Sequence, residues 1–210
     1  VGDDVSVVVM IRPASVDDAD AVGEVHVRAW QSAYRGVMPD AYLDGLQARD
    51  HATRWRNHLI APSLEGELIV VVDDHRVVGF ASVGPTLDRD APSDIGQLYA
   101  INLDPDVWGR GLGRALLSVA TDRLSELGYL EAVLWVVPDN QRARRLYESE
   151  GWGDDDCRRD DEVFGVVVSQ MRYRRLLVEP SASQPGRPDS ASGYPTSGIL
   201  DRRDEGARRS

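Results

Sequence analysis

Cysteine is nearly absent from these 210 residues. Cys157 stands alone, so an internal disulfide is excluded and a reducing compartment fits, with the cytoplasm as the default. No apolar run approaches the roughly 20 residues of a membrane-crossing helix. The N-terminal stretch lacks the basic segment followed by a long apolar one that export requires, so neither membrane insertion nor secretion is expected. Histidines number only four, and no two share a metal-ligand spacing on a common face. His51 and His58 lie seven apart without an acidic partner, His26 falls on an apolar helix face as a structural residue, and His75 belongs to a turn. No metal is expected. Basic residues are in deficit, 24 against 35 acidic ones, for a formal net charge of -11. That balance argues against nucleic-acid binding through phosphate neutralisation and leans toward a cationic amine as ligand. The acidic clusters at Asp88, Asp90 and Asp94 and at Asp154, Asp155, Asp156, Asp160 and Asp161 read as solvated surface.

A hydrophobic content of 42% suffices for one sizeable core. Residues 1–178 read as a single domain, and 179–210, rich in Ser, Pro, Gly and Arg without any period, read as a disordered tail. Arg202, Arg203, Arg208 and Arg209 in that tail are interspersed with acids and read as solvated. The core alternates strands and helices. A strand over Val5 to Arg12 precedes a helix that Ser15 opens with Asp18 three residues on, burying Val22, Val25, His26, Ala29 and Ala33. One helical segment after Pro39 carries Tyr42, Leu43, Leu46 and Trp55. Strands follow at Glu67 to Val72 and Arg76 to Val83, joined by the turn Asp73-Asp74-His75. A fourth ends near Leu103, a fifth covers Leu130 to Val137, and two more fall near Asp155 to Asp161 and Val163 to Arg174. No internal repeat is visible.

Between the fourth and fifth strands lies Val107-Trp108-Gly109-Arg110-Gly111-Leu112-Gly113-Arg114, followed by apolar residues at helical spacing (Leu112, Leu116, Leu117, Ala120, Leu124, Leu127) and a closing Gly128. Glycines admit a close ligand, and a helix N-terminus offers free N–H groups and a dipole that favour phosphate. Arg110 and Arg114 add charge beside it. Two familiar glycine motifs fail: a P-loop needs Lys then Ser or Thr where this chain has Arg114-Ala115, and a dinucleotide fingerprint needs its third glycine at position 114. Taken alone, the segment fits equally a helix start that simply uses glycine.

One strand later, Pro138-Asp139-Asn140-Gln141-Arg142-Ala143-Arg144-Arg145-Leu146-Tyr147 runs on to Gly151-Trp152. Asp139 or Asn140 suits the N-cap, and Gly151 suits the stop. Asn140 and Tyr147, seven residues apart, project from nearly one face, roughly 10 Å apart along the axis.

Together these segments resemble the GNAT superfamily of acyl-CoA-dependent N-acyltransferases. Its cofactor-loop pattern (Gln/Arg)-x-x-Gly-x-(Gly/Ala) is matched from Trp108 to Gly113, with Trp108 departing from the usual Gln or Arg, and its later Asn-to-Tyr helix by Asn140 and Tyr147. Ile11-Arg12-Pro13-Ala14 resembles the first strand, and Met10 stands where many members begin, so the first nine residues read as an extension or an upstream start. The resemblance implies an α/β fold with a mixed sheet of about seven strands and about four helices, splayed between strands 4 and 5. It also implies acetyl-CoA as acyl donor: pantetheine along Ile101, Asn102 and Leu103, pyrophosphate on the amides of Gly109, Arg110, Gly111, Leu112, Gly113 and Arg114, Asn140 and Tyr147 beside it, and Arg144 or Arg145 toward the ribose phosphate.

Further implications of the resemblance concern chemistry. A neutral amine attacks the thioester, and Tyr147 stands at the position of the acid that protonates the departing thiolate; the alternative is a tyrosine that only fills the helix face. Many members carry a glutamate base where this chain has Gln97, and an amide cannot accept the proton. Gln97 then orients a water or the acceptor, with Asp94 or Tyr99 as substitutes, and a base-poor site still serves an amine of low pKa. The acceptor pocket is expected around Trp30, Tyr34 and Tyr99, with Arg35, Tyr42 and Trp55 nearby; these aromatics fit a core equally well. Trp30 to Gly36 resembles a sub-group of small-molecule acetyltransferases of mostly unassigned substrate. The activity implied is acetyl transfer to a primary amine of a small molecule or peptide, with a homodimer as default. The alternative is a CoA-binding sensor or interaction module without turnover, which the missing glutamate favours and Asn140 with Tyr147 opposes.

Overall fold

The computed structural model describes residues 9–61, 66–89, 91–163 and 166–177. The expected strand residues 5–8 and the tail expected over 179–210 lie outside them. Seven strands form one sheet: β1 (Val9–Pro13), β2 (Glu67–Asp73), β3 (Arg76–Pro85), β4 (Ile95–Leu103), β5 (Glu131–Val136), β6 (Gly153–Val163) and β7 (Val166–Leu176), in the order β1-β2-β3-β4-β5-β7-β6. All neighbours run antiparallel except β4 and β5. The turn between β2 and β3 places Asp74 and His75 at φ 48° and 63°, the left-handed pair that a two-residue hairpin requires.

Among the described residues five α-helices flank the sheet: α1 (Ala19–Ala33), α2 (Asp40–Gly45), α3 (Ala48–Ile60), α4 (Leu112–Glu126) and α5 (Gln141–Ser149). The segment read as one helix after Pro39 is two, because Leu46 and Gln47 take extended backbone (ψ 132° and 121°). The first helix begins as a single 3-10 turn, Val16–Asp18. There the Asp18 carboxylate accepts the Ser15 N–H at 2.7 Å and both Arg12 N–H groups at 2.7 and 2.8 Å. The Arg12 guanidinium, more than any other neighbour, holds that carboxyl down at about 2.

The continuous apolar run of β2 is explained by burial on both faces. Leu68, Val70 and Val72 pack with Val22, Val25, Trp55 and Phe80 under α1 and α3, while Ile69 and Val71 join Leu116, Leu117, Ala120 and Leu124 under α4. Among the described residues no helix is long and apolar enough to cross a membrane.

The sheet opens in the middle. Strand β4 pairs with β5 only from Ile95↔Glu131 to Leu98↔Leu134. Beyond that point Ala100–Leu103 pair with β3 alone, and Trp135 and Val136 pair with β7. The parting coincides with a bulge: the β3 partners step from Ser82↔Ala100 to Val83↔Leu98, leaving Tyr99 as an extra residue that bends β4. The Tyr99 hydroxyl donates to the Pro85 carbonyl. A Cβ on Gly84 would stand 2.7 Å from that hydroxyl, so only glycine leaves it room.

Candidate active site

The splay forms a cleft of about 1480 Å³ whose lining includes Tyr99, Ala100, Ile101, Asn102 and Leu103 on one wall and Leu134, Trp135 and Val136 on the other. Parted strands leave main-chain donors and acceptors of β4 without a β5 partner, which is what an extended amide-bearing chain pairs with.

At one end of the cleft lies the glycine turn. Gly109 and Gly111 have φ 80° and 82°, and a Cβ on either would meet nothing within 4 Å. Glycine is therefore required here by backbone conformation, and the space above it is open. Gly111 caps the fifteen-residue α4, so the N–H groups of Leu112, Gly113 and Arg114 have no intrahelical acceptor. Diphosphate of coenzyme A fits this cradle by donor chemistry and dipole. One expectation needs correction: the Arg110 charge expected beside the turn goes into an ion pair with Asp73 at 2.8 Å, outside the cleft lining. The Leu112 side chain, part of the expected apolar stripe, is buried in the core under α4. Arg114 does line the cleft and pairs with Glu150 at 2.7 Å.

The turn is braced by residues around it. The buried Asp104 carboxylate receives Arg28 at 3.0 Å, Arg76 at 2.7 Å and the Asp106 N–H at 3.0 Å. The Trp108 indole N–H donates to the Leu103 carbonyl at 3.0 Å, and the Arg142 guanidinium lies 4.1 Å over its ring.

On α5, the Asn140 side chain caps the helix by accepting the Ala143 N–H at 3.1 Å; burial raises the phenol of Tyr34 at the end of α1, and the nearby Asn140 amide partly offsets this. Tyr147 is buried, faces the cleft and meets Tyr173 edge-on at 6.2 Å. Burial first, and the neighbouring Tyr34 second, push its phenol far above the usual tyrosine range; the hydroxyl is protonated at neutral pH. Arg145 lines the cleft, whereas Arg144 is drawn to the Tyr173 hydroxyl at 3.0 Å and the Pro138 carbonyl at 3.2 Å, away from it.

Leu98, Leu134 and Val136 belong to the core under α4, so their neighbours Gln97 and Trp135 point to the α1 face of the sheet. That face is the second half of the cleft, with the rings of Trp30 and Tyr34 in tilted contact at 5.1 Å and with Leu87, Arg89, Arg159, Asp161 and Gln170. Gln97 is buried, and its carbonyl accepts the Leu87 N–H at 2.9 Å and the Thr86 hydroxyl at 3.4 Å. Its oxygen is spent on holding the β3–β4 loop. Tyr99 lines the cleft with its hydroxyl donated to Pro85, and Asp94 is exposed outside the cleft lining. Arg35 pairs with Asp40 and Asp44 at the surface, Tyr42 packs beside Leu43 and Met38, and Trp55 belongs to the α1–α3 core, donating to His26 Nδ1 at 3.4 Å. None of these three lines the cleft. His26 reaches its edge, and burial holds its imidazole well below the usual range. Trp135, Arg159 and Gln170 escaped the sequence reading. Their strands read only as an apolar run and an acid-arginine run, and strand pairing alone brings them together.

Comparison with known proteins agrees with this geometry. The Acetyltransferase (GNAT) family profile matches residues 27–152. The chain is 32% identical over 165 residues to an uncharacterized N-acetyltransferase, YuaI, of Bacillus subtilis, covering 78% of this chain and 90% of that protein. It is 34% identical over 148 residues to a mycothiol acetyltransferase of Kocuria rhizophila, covering 69% of this chain but only 46% of that one. The PaiA N-acetyltransferase of Thermoplasma acidophilum, solved with coenzyme A, shares the fold at a TM-score of 0.66 and 19% identity, over 80% of this chain and 99% of that one. The acetyltransferase yncA of Salmonella typhimurium, solved with acetyl-CoA, does so at 0.62 and 21%, over 83% and 96%. The chain belongs to the GNAT acetyltransferase family, whose enzymes move the acetyl group of acetyl-CoA to an amine.

Proposed function

We propose that this protein acetylates a primary amine of a small molecule or short peptide, with Tyr147 as the acid. The observation that carries the reading is a buried, protonated phenol facing the same cleft as the open β4 edge and the glycine turn. Bound acetyl-CoA supplies a thioester carbonyl and a thiolate leaving group. Ile101, Asn102 and Leu103 would hold the pantetheine through their backbone, and residues 109–114 the diphosphate. As the amine nitrogen bonds to the acetyl carbon and the carbon–sulfur bond breaks, Tyr147 Oη would give its proton to the sulfur, and the proton lost from nitrogen would return through water to the phenolate and restore the acid. Gln97 acts as a positioning residue, since its oxygen fixes Thr86 and Leu87 beside the acceptor space.

The lack of a carboxylate at position 97 also favours a second reading, a CoA-binding module without turnover. Tyr147→Phe separates the two. In a transferase it retains acetyl-CoA affinity by calorimetry while amine-dependent thiol release falls about 10²-fold or more, the ordinary worth of general acid catalysis. Unchanged release sinks the acid assignment, and an unmodified protein that binds acetyl-CoA but releases no thiol on any amine favours the binding module.

A further inference from the structure

The acceptor half of the cleft contains a cation that acetyl transfer as described above leaves unused. Arg159 on β6 lies with its guanidinium 4.3 Å over the Trp135 ring, its Nε donating to the Gln170 amide oxygen at 2.7 Å and Nη2 3.2 Å from Asp161. Its Nη1 has no partner among the described residues, and the residue lines the cleft. Arg172 provides the internal comparison. It approaches the same indole, but Asp88 and Asp155 each bind it at 2.8 Å, and it lies outside this cleft. One arginine is neutralised as part of the sheet, while the other keeps part of its fork toward the ligand space. Burial pulls Arg159 below the usual arginine range despite Asp161 and Asp88, as expected of a guanidinium whose charge is only partly compensated.

We propose that Arg159, backed by Trp135 and held by Gln170, recognises a carboxylate, and that the acceptor is a small amine bearing one, such as an amino acid or short peptide. The inference rests on the transferase reading above. A planar guanidinium matches a carboxylate through paired N–H donors, and the indole behind it shields one face of the ion from water while adding its own attraction. Gln170 holds Nε without neutralising it. A carboxylate from the acceptor would take the Nη1 donors that Asp161 and Gln170 leave open.

The test compares acids with their amides: glycine with glycinamide, alanine with alaninamide, and alanylalanine with its carboxamide, by thiol release at saturating acetyl-CoA. The expected result is a preference for the acid of about 10- to 100-fold in kcat/KM, carried mainly by KM, the worth of hydrogen bonding to a charged group. Arg159→Gln reduces that preference toward unity, and Arg159→Lys retains part of it. Equal use of acid and amide by the unaltered protein, or a preference that Arg159→Gln leaves intact, overturns the proposal. Should no acceptor release thiol although acetyl-CoA binds, the N-acetylated acids and amides are titrated onto the CoA-loaded protein. Selective binding of the acids, lost in Arg159→Gln, upholds the carboxylate site, and equal binding overturns it. Absence of acetyl-CoA binding overturns the transferase reading itself, and this inference with it.

Discussion

Trp108 illustrates how one side chain can replace another at a motif position by a different physical route. Where the family pattern has Gln or Arg, this indole donates to the Leu103 carbonyl and stacks under Arg142, tying the end of β4 to the glycine turn and to α5. Losing one neutral hydrogen bond and one exposed cation–π contact together costs about 1 to 2 kcal/mol. Trp108→Ala is therefore expected to weaken acetyl-CoA binding about tenfold by calorimetry, while Trp108→Gln, which keeps an N–H donor, loses less. Equal affinity in all three proteins would show that the indole does not support the turn. The same residue-scale view separates Arg110 from Arg114: the sequence places both beside the turn, but Asp73 captures the first and only the second lines the cleft.

Among the elements, α1 matters most to the proposed acceptor half, because its last turn carries Trp30 and the residue after its end is Tyr34, and both line the cleft. Its position is set where it crosses α3. A Cβ on Gly23 would meet the Ala48 carbonyl oxygen at 2.5 Å and the Ala52 nitrogen at 2.7 Å, both main-chain atoms that cannot swing aside. Gly23→Ala improves helix propensity by about 1 kcal/mol, yet overpacking of this kind costs about 1 to 3 kcal/mol and is set against rigid backbone. A net loss of stability in urea unfolding is expected, with a raised KM for the acceptor as α1 shifts. A stabilised variant would mean that the helices part freely at this crossing.

For the molecule as a whole, every permanently cationic side chain is arginine. The 210 residues contain no lysine, so no ε-amine of the chain itself consumes acetyl groups and amine-dependent thiol release has a low intrinsic background. Between pH 7.5 and 5.5 the acid response of the fold follows from the buried His26 and the half-buried His58. Burial lowers the imidazoles of His26 and His58, so the unfolded chain, titrating near 6.5, binds more protons than the folded one below that pH. Their contribution is complete above about 6.5 and is lost as pH falls toward the depressed folded values. Thermal midpoints are expected to drop by several degrees between pH 7.5 and 5.5. His26→Phe, which keeps a ring against Trp30 and Phe80 but strands the Trp55 N–H, is less stable at pH 7.5 and shows a shallower pH slope. An unchanged slope would assign the acid sensitivity elsewhere.

The order of strands and helices, the glycine turn and the Asn140–Tyr147 helix are legible in the chain before it folds. Each is a local matter: apolar periodicity, capping chemistry and the backbone freedom of glycine act within a few residues and leave their pattern in one dimension. The break at Leu46 and Gln47 escaped because no proline stands at it and helix-compatible residues lie on both sides. Tertiary structure decided what depends on distant partners. The splay follows from a bulge at Tyr99 that Gly84 and Pro85 accommodate, the oxygen of Gln97 goes to a loop eleven and ten residues away in sequence, and Arg144 is lost to Tyr173. Trp135 on β5, Arg159 on β6 and Gln170 on β7 become neighbours only through the strand order β5-β7-β6. No local pattern encodes that order, because it is fixed by which faces the whole sheet must bury.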